Sequence, residues 1–160
     1  LVTGGGSGSF AYEAATGVWG ELQCGSYVFH DRDYADNAPT PHAPGFEHAL
    51  FVKSRVISRG SAHAVVDAGH KADAIDSGPP RIWSPAGSVD LAFANGGDEH
   101  GILRAPGRDP LPALGDTVWL VPGHCDPTVN LHDHYVVVRG GLVQGRVEAV
   151  WPVHARGRLD

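Results

Sequence analysis

Three neighbouring side chains near the C-terminal end of this sequence could do chemistry together: His124, Cys125 and Asp126, in the run Pro122-Gly123-His124-Cys125-Asp126-Pro127-Thr128. They follow a β-branched and aromatic segment, Thr117-Val118-Trp119-Leu120-Val121, that reads as a strand. If the chain stays extended, residues two apart share a face, so His124 and Asp126 point together and Cys125 points away. An imidazole and a carboxylate so arranged can grip a divalent ion and leave positions open for water or substrate. In the other reading Asp126 caps a short helix after Pro127, and His124 is a partly buried turn residue.

A second candidate opens the chain. Thr3-Gly4-Gly5-Gly6-Ser7-Gly8-Ser9 follows an apolar strand end. Glycines let backbone N–H groups converge on an anion without interference from a Cβ, and a following helix adds its partial positive charge. A phosphate is the natural guest, although the same composition also describes a flexible tether. Two further turns carry ionisable groups. Asp98-Glu99-His100-Gly101 follows Gly96-Gly97 and pairs an acid with an imidazole, as partners that orient a metal ligand do; a solvated turn is the plainer reading. Val65-Val66-Asp67-Ala68-Gly69-His70-Lys71 ends a strand in an acidic turn, where Lys71, near Asp67, Asp73 and Asp76, reads as a solvated ion-pair former.

The elements that must position these groups are mainly β. Glycine (22) and proline (12) punctuate the whole length, favouring short strands joined by turns. Strands are expected over 21–30, 49–58, 63–66, 89–93, 117–121, 135–139 and 147–153, with Gly140-Gly141 as a hairpin turn between the last two. Helical periodicity is weak; 11–15 and 128–133 could each form a turn or two. Residues 39–45, with three prolines, read as an exposed loop. The expected architecture is a compact sandwich or barrel-like sheet.

Composition bounds the partners. Apolar residues make up 42 % of the 160 and charged ones 19 %, a globular balance. The twelve basic residues are scattered and the net charge is −6, which argues against nucleic acid or an anionic membrane as a partner. No apolar run approaches the ~20 residues that span a bilayer. Cys24 and Cys125 read as reduced thiols in a cytoplasmic protein. Most of the ten histidines read as surface or loop residues. The chain has no methionine and opens on Leu1-Val2-Thr3, so it is expected to be a piece of something longer.

Taken in order, Val2-Thr3-Gly4-Gly5-Gly6-Ser7-Gly8, Glu21-Leu22-Gln23-Cys24-Gly25-Ser26-Tyr27-Val28-Phe29, Asp67-Ala68-Gly69-His70-Lys71, Asp98-Glu99-His100-Gly101 and His124-Cys125-Asp126-Pro127-Thr128-Val129-Asn130-Leu131 resemble the second half of the D-threonine aldolase and D-serine dehydratase group. The resemblance implies a pyridoxal-phosphate fold of the alanine racemase type, an α/β barrel followed by a β domain. Residues 1–18 would be the last strand and loop of that barrel and 19–160 the β domain. Gly4, Gly5, Gly6 and Ser7 would hold the phosphate of pyridoxal phosphate. His124 and Asp126 would bind the metal, with Glu99 and His100 as supporting groups. The dehydratases tend to carry cysteine where Asp126 stands, which suits zinc; an oxygen ligand favours Mn²⁺ or Mg²⁺. The implied activity is retro-aldol cleavage of a D-threonine-type amino acid to glycine and an aldehyde. β-Elimination from D-serine or D-3-hydroxyaspartate, to a 2-oxo acid and ammonia, is the alternative, and a stand-alone β binding domain is the alternative of another class. A homodimer of the complete enzyme is implied by analogy.

The lysine that carries the cofactor in this group lies early in the barrel, outside this sequence, whose only lysines are Lys53 and Lys71. The stretch by itself is therefore expected to be inactive. Borohydride reduction of the isolated chain with pyridoxal phosphate, followed by peptide mapping, should leave both lysines without stoichiometric label; full labelling of Lys71 would contradict its reading as an ion-pair former.

Overall fold

The computed structural model describes residues 1–39, 43–87 and 89–158. It begins with a small α/β unit. Thr3–Gly4 (β1) and Glu21–Leu22 (β2) pair in parallel. Parallel strands need a crossover rather than a hairpin, and the helix Phe10–Thr16 (α1) lies in that crossover. Gly17, at φ 68°, ends α1 in the left-handed conformation that glycine tolerates best. The N–H of Gln23 donates to the Gly4 carbonyl at 3.0 Å.

Residues 21–30 do not form the single strand expected. After β2 the chain enters a 3₁₀ turn over Ser26–Val28. The His30 N–H closes back onto the Ser26 carbonyl at 2.7 Å, and the Tyr27 N–H is taken by the Ser7 hydroxyl at 3.0 Å, so these donors serve no ladder. His30 sits at φ 51°, the one non-glycine residue in the left-handed region among those described. The bend leads into a single helical turn, Arg32–Ala35 (α2).

Six antiparallel strands then build the main body. They are Val52–Arg59 (β3), Ala64–Val66 (β4), Arg81–Trp83 (β5), Ala92–Asn95 (β6), Gly101–Arg104 (β7) and Thr117–Val121 (β8). Their order is β5-β8-β3-β4-β7-β6, curled so that the sheet is nearly a closed barrel, in keeping with the mainly β expectation. In β3 the alternation is plain: Val52, Ser54 and Val56 are buried, Lys53 and Arg55 exposed. Val56, Ala64, Val66, Leu103 and Leu120 are essentially inaccessible and form the centre of the core, with Ile82, Phe93 and Val118 around them.

Two strands escaped sequence reading. β5 has only three residues between prolines at 79, 80 and 85. β7 starts at Gly101, within a motif read as a turn; the glycine is needed because a Cβ there would enter the Phe93 ring. β6 begins three residues later than expected. The helix expected at 128–133 is found at Cys125–Val129 (α3). His134–Arg139 (β9) and Arg146–Pro152 (β10) form the expected hairpin, with Gly140 and Gly141 at φ 90° and 87° in its connection. Of the loop expected over 39–45, positions 40–42 lie outside the described residues, and Pro39 and 43–45 carry no regular structure. No helix among the described residues is long and apolar enough to cross a membrane.

One polar group is buried in the frame without compensation. Asp73 is inaccessible, and neither of its carboxylate oxygens has a hydrogen-bond partner among the described residues. Burial pushes its pKa up to about 7, and the neighbouring Thr128 hydroxyl opposes this only in part. A carboxyl whose folded pKa lies above its unfolded value favours the fold at low pH and loses that contribution as pH rises toward 7. Asp73→Asn should therefore stabilise the protein at pH 8, by at most about 4 kcal/mol. The gain should shrink as pH falls from 7 to 4, as read from denaturant melts across that range.

Candidate metal centre and phosphate loop

β8 delivers the candidate ligands. Pro122 follows its last residue and Gly123 comes next, where a Cβ would run into the Gly78 carbonyl. His124 is still extended, at φ −139° and ψ 130°, and stands at the N-cap of α3, with Cys125 and Asp126 in its first turn. Pro127 is tolerated there because the first N–H groups of a helix have no partner inside it. The three residues are thus not one extended run, and their relation is set by the start of a helix rather than by a strand's alternation. Cys125 is buried, while the Asp126 side chain is 71 % exposed.

The helix start places His124 and Asp126 in reach of one ion. His124 Nε2 and Asp126 Oδ2 are 3.9 Å apart. An ion about 2.0–2.2 Å from each ligand atom permits any separation up to roughly 4.2 Å. The other imidazole nitrogen is already occupied: His124 Nδ1 lies 2.9 Å from Asp31 Oδ2.

Asp31 is the member of this cluster that sequence reading missed. It sits 93 positions away from His124 and is inaccessible to solvent. As N-cap of α2 it accepts the Tyr34 N–H on Oδ1 at 3.1 Å, and its Oδ2 also accepts the Cys125 N–H at 2.8 Å. One carboxylate thereby caps two helices and holds the imidazole. The only available signal was the helix-start pattern Asp31-Arg32-Asp33-Tyr34, which says nothing about a partner so far along the chain. The docking is completed by the first N–H groups of α2. Arg32 N–H donates to the Pro122 carbonyl at 3.0 Å, and Asp33 N–H to the Gly123 carbonyl at 3.1 Å.

Charge follows this geometry. Burial alone would raise the Asp31 pKa, but the hydrogen bonds from His124, Cys125 and Tyr34 outweigh it and hold the carboxyl below its ordinary value. Burial alone would lower His124; its hydrogen bond to Asp31 and the charges of Asp126, Asp31 and Asp76 raise it instead. Cys125 is pushed up to about 12 by burial, then by its hydrogen bond to Asp126 and its contact with Asp31.

Asp31, His124 and Cys125 each bring one possible ligand atom within 4.8 Å of the other two. This set could be taken for a cage, but its atoms are spent on one another. The Asp31 oxygens already accept three N–H groups, and the Cys125 thiol donates to Asp126 Oδ1 at 3.2 Å. The free coordination positions lie on His124 Nε2 and the exposed Asp126 carboxylate.

The candidate phosphate loop reaches the same region. Gly5 sits at φ 77°, a Cβ on Gly4 would enter the Trp19 ring, and one on Gly6 would meet nothing. The Gly6 carbonyl accepts the N–H groups of Ser9 and Phe10 at 3.2 and 3.0 Å, bending the chain into α1. Among the described residues, the N–H groups of Gly6, Ser7 and Gly8 donate to no protein acceptor. A cavity of about 240 Å³ adjoins the loop, lined in part by Ser7, Gly8, Phe10, His30, Tyr34 and Phe46. Tyr34 links it to the metal candidates, since its ring meets His124 edge-on with centroids 6.4 Å apart.

Glu99 and His100 belong to a second pair of packed turns. The turn 67–71 packs on the turn 96–99 through His70 N–H to the Gly97 carbonyl, 3.2 Å, and Lys71 N–H to the Asp98 carbonyl, 3.0 Å. Lys71 Nζ pairs with Asp98 and Glu99 at 3.0 and 3.7 Å, so its partners are these and not Asp67, Asp73 or Asp76. Among the described residues, no hydrogen bond or ion pair connects Glu99 or His100 to His124, Asp126 or Asp31. The contrast between the two thiols is directly measurable. At pH 8 a thiol reagent should modify the half-buried Cys24 and leave Cys125 unreacted until the protein unfolds; equal rates would contradict the packing of Cys125 under Asp31.

Residues 49–138, which carry the six-stranded sheet and α3, match the serine dehydratase domain family. The chain is 45 % identical to the 3-hydroxy-D-aspartate aldolase of Paracoccus denitrificans, over 99 % of its own length and 40 % of the relative's. It is also 45 % identical to the D-threonine aldolase of an Arthrobacter species, over 98 % of its length and 39 % of the relative's. The crystal structure of D-threonine aldolase from Filomicrobium marinum superposes with a TM-score of 0.88 and 48 % identity, covering all of this chain and 42 % of that one. The chain thus spans about two-fifths of the curated relatives it matches. With a matched domain over more than half its length and the same fold as an aldolase at nearly one identical residue in two, this chain belongs to the D-serine dehydratase-like family that includes the D-threonine and 3-hydroxy-D-aspartate aldolases.

Proposed function

We propose that the complete protein is a lyase that uses pyridoxal phosphate and a divalent metal ion to cleave β-hydroxy D-amino acids of the D-threonine type into glycine and an aldehyde. This chain would supply the phosphate loop and the metal ligands. The observation that carries the reading is the pair His124 Nε2 and Asp126 Oδ2, 3.9 Å apart, on an imidazole whose other nitrogen is anchored. When bound, the cofactor supplies an electron sink for a bond breaking at Cα, and the ion a Lewis acid for the β-hydroxyl.

The residues have separate tasks. The N–H groups of Gly6, Ser7 and Gly8 would receive the phosphate, with Gly4 and Gly5 giving the loop its close approach to Trp19 and its left-handed bend. His124 and Asp126 would hold the ion; the carboxylate oxygen in place of a thiolate shifts the preference toward Mn²⁺ or Mg²⁺, although zinc also accepts such a pair. Asp31 Oδ2 holds the Nδ1 proton of His124. Cys125 fills the space beneath and takes no part. Domain organisation follows the same reading: residues 1–18 as the end of an α/β barrel and 19–160 as the β domain, in a cytoplasmic homodimer.

Asp126 rather than cysteine supports the aldolase over the dehydratase reading, and the products separate the two: glycine and an aldehyde, or a 2-oxo acid and ammonia. In the full-length protein, His124→Ala and Asp126→Ala should each remove metal-dependent turnover while leaving cofactor absorbance intact. Cys125→Ala should cost less than about tenfold, and Asp126→Cys should move metal preference toward zinc. Loss of activity in Cys125→Ala with Asp126→Ala tolerated would shift the ligand register by one and refute the assignment.

A further inference from the structure

We infer that Asp31 is a positioning residue that sets the tautomer of His124, keeping the proton on Nδ1 and the lone pair on Nε2; the inference rests on the metal reading only for its consequence in binding. The Asp31 carboxylate is inaccessible, and its Oδ2 lies 2.9 Å from His124 Nδ1. A neutral imidazole carries one N–H, so a proton fixed on Nδ1 leaves Nε2 as the acceptor. Nε2 is the nitrogen beside Asp126, at 3.9 Å. With the opposite tautomer, Nε2 would carry hydrogen and have no lone pair to offer an ion.

The carboxylate can impose this choice because it is itself held from three sides. Tyr34 N–H reaches Oδ1, and Cys125 N–H reaches Oδ2 alongside the imidazole. The two backbone donors belong to two helix starts, so neither oxygen can turn away without leaving an N–H unpaired. The Tyr34 ring lies beside the imidazole, edge to face with centroids 6.4 Å apart. An ionised carboxylate only accepts, and the other two groups at its oxygens are backbone N–H donors, so donation from Nδ1 is the arrangement that satisfies the cluster.

The test uses the full-length protein, labelled with ¹⁵N-histidine, freed of metal with a chelator and studied at pH 9, with His124→Gln to assign the signal. Wild type should show a pyrrole-type Nδ1 and a pyridine-type Nε2 at His124. Asp31→Ser retains a short cap for α2 but cannot reach the imidazole. It should shift His124 toward the Nε2–H tautomer and weaken Mn²⁺ binding by roughly 10–100-fold in a direct titration. A wild-type signal with hydrogen on Nε2 overturns the inference without recourse to any variant. So does an Asp31→Ser protein with both tautomer and Mn²⁺ affinity unchanged. If wild type carries the proton on Nδ1 but Mn²⁺ binds equally well to His124→Gln, the tautomer assignment stands and the metal reading falls.

Discussion

A single buried carboxylate joins the parts of this molecule that could act together. Asp31 accepts donors from the start of α2, from the start of α3 and from the His124 ring. A buried ionised carboxylate is tolerable only when its oxygens are satisfied, and here three N–H groups do so. The same requirement fixes where α2 can sit. Its first two N–H groups donate to the carbonyls of Pro122 and Gly123, so segments some ninety residues apart meet backbone to backbone. Removing the carboxylate would leave N–H groups unpaired at both helix starts.

Around that junction the curled six-stranded sheet acts as a frame. Its core is small and aliphatic, centred on Val56, Val66, Leu103 and Leu120. β8 pairs on both sides, with β3 and β5, so its last residues leave the sheet from a fixed position. A second tie comes from Arg32, which binds Asp36 and the Ser77 carbonyl, while Arg81 of β5 also reaches Asp36. α2 is thereby held to the loop before β5 as well as to the loop after β8. The short helix could not persist alone, since one helical turn does not repay its nucleation; its tertiary anchors maintain it.

The glycine-rich loop is coupled to this arrangement through the segment between β2 and α2. The Ser7 hydroxyl takes the Tyr27 N–H, and from there the chain turns through His30 directly into Asp31. His30 also stacks on His48 and meets Phe46, which in turn contacts Phe10 and Tyr27. The glycine-rich loop and the candidate pair His124 and Asp126 are therefore separated by one short, aromatic-packed connection. Tyr34 lines the cavity on one side of it and faces His124 on the other.

The mainly β architecture, the 117–121 strand, the final hairpin and the glycine-rich opening were legible in the sequence, because β-branched alternation and left-handed glycines act locally. So was the candidate pair His124 and Asp126, through residue type and family pattern. The geometry behind that pair was not, because the extended run expected there gives way to a helix whose N–H groups are capped from elsewhere. Residues 21–30 likewise look like a strand, yet their donors are taken by Ser7 and by their own turn. Asp31 was invisible as a partner of His124: nothing local distinguishes a helix cap from a carboxylate that also meets an imidazole. That distinction depends on which distant backbone arrives at its second oxygen, and only packing of α2 onto the end of β8 brings it there.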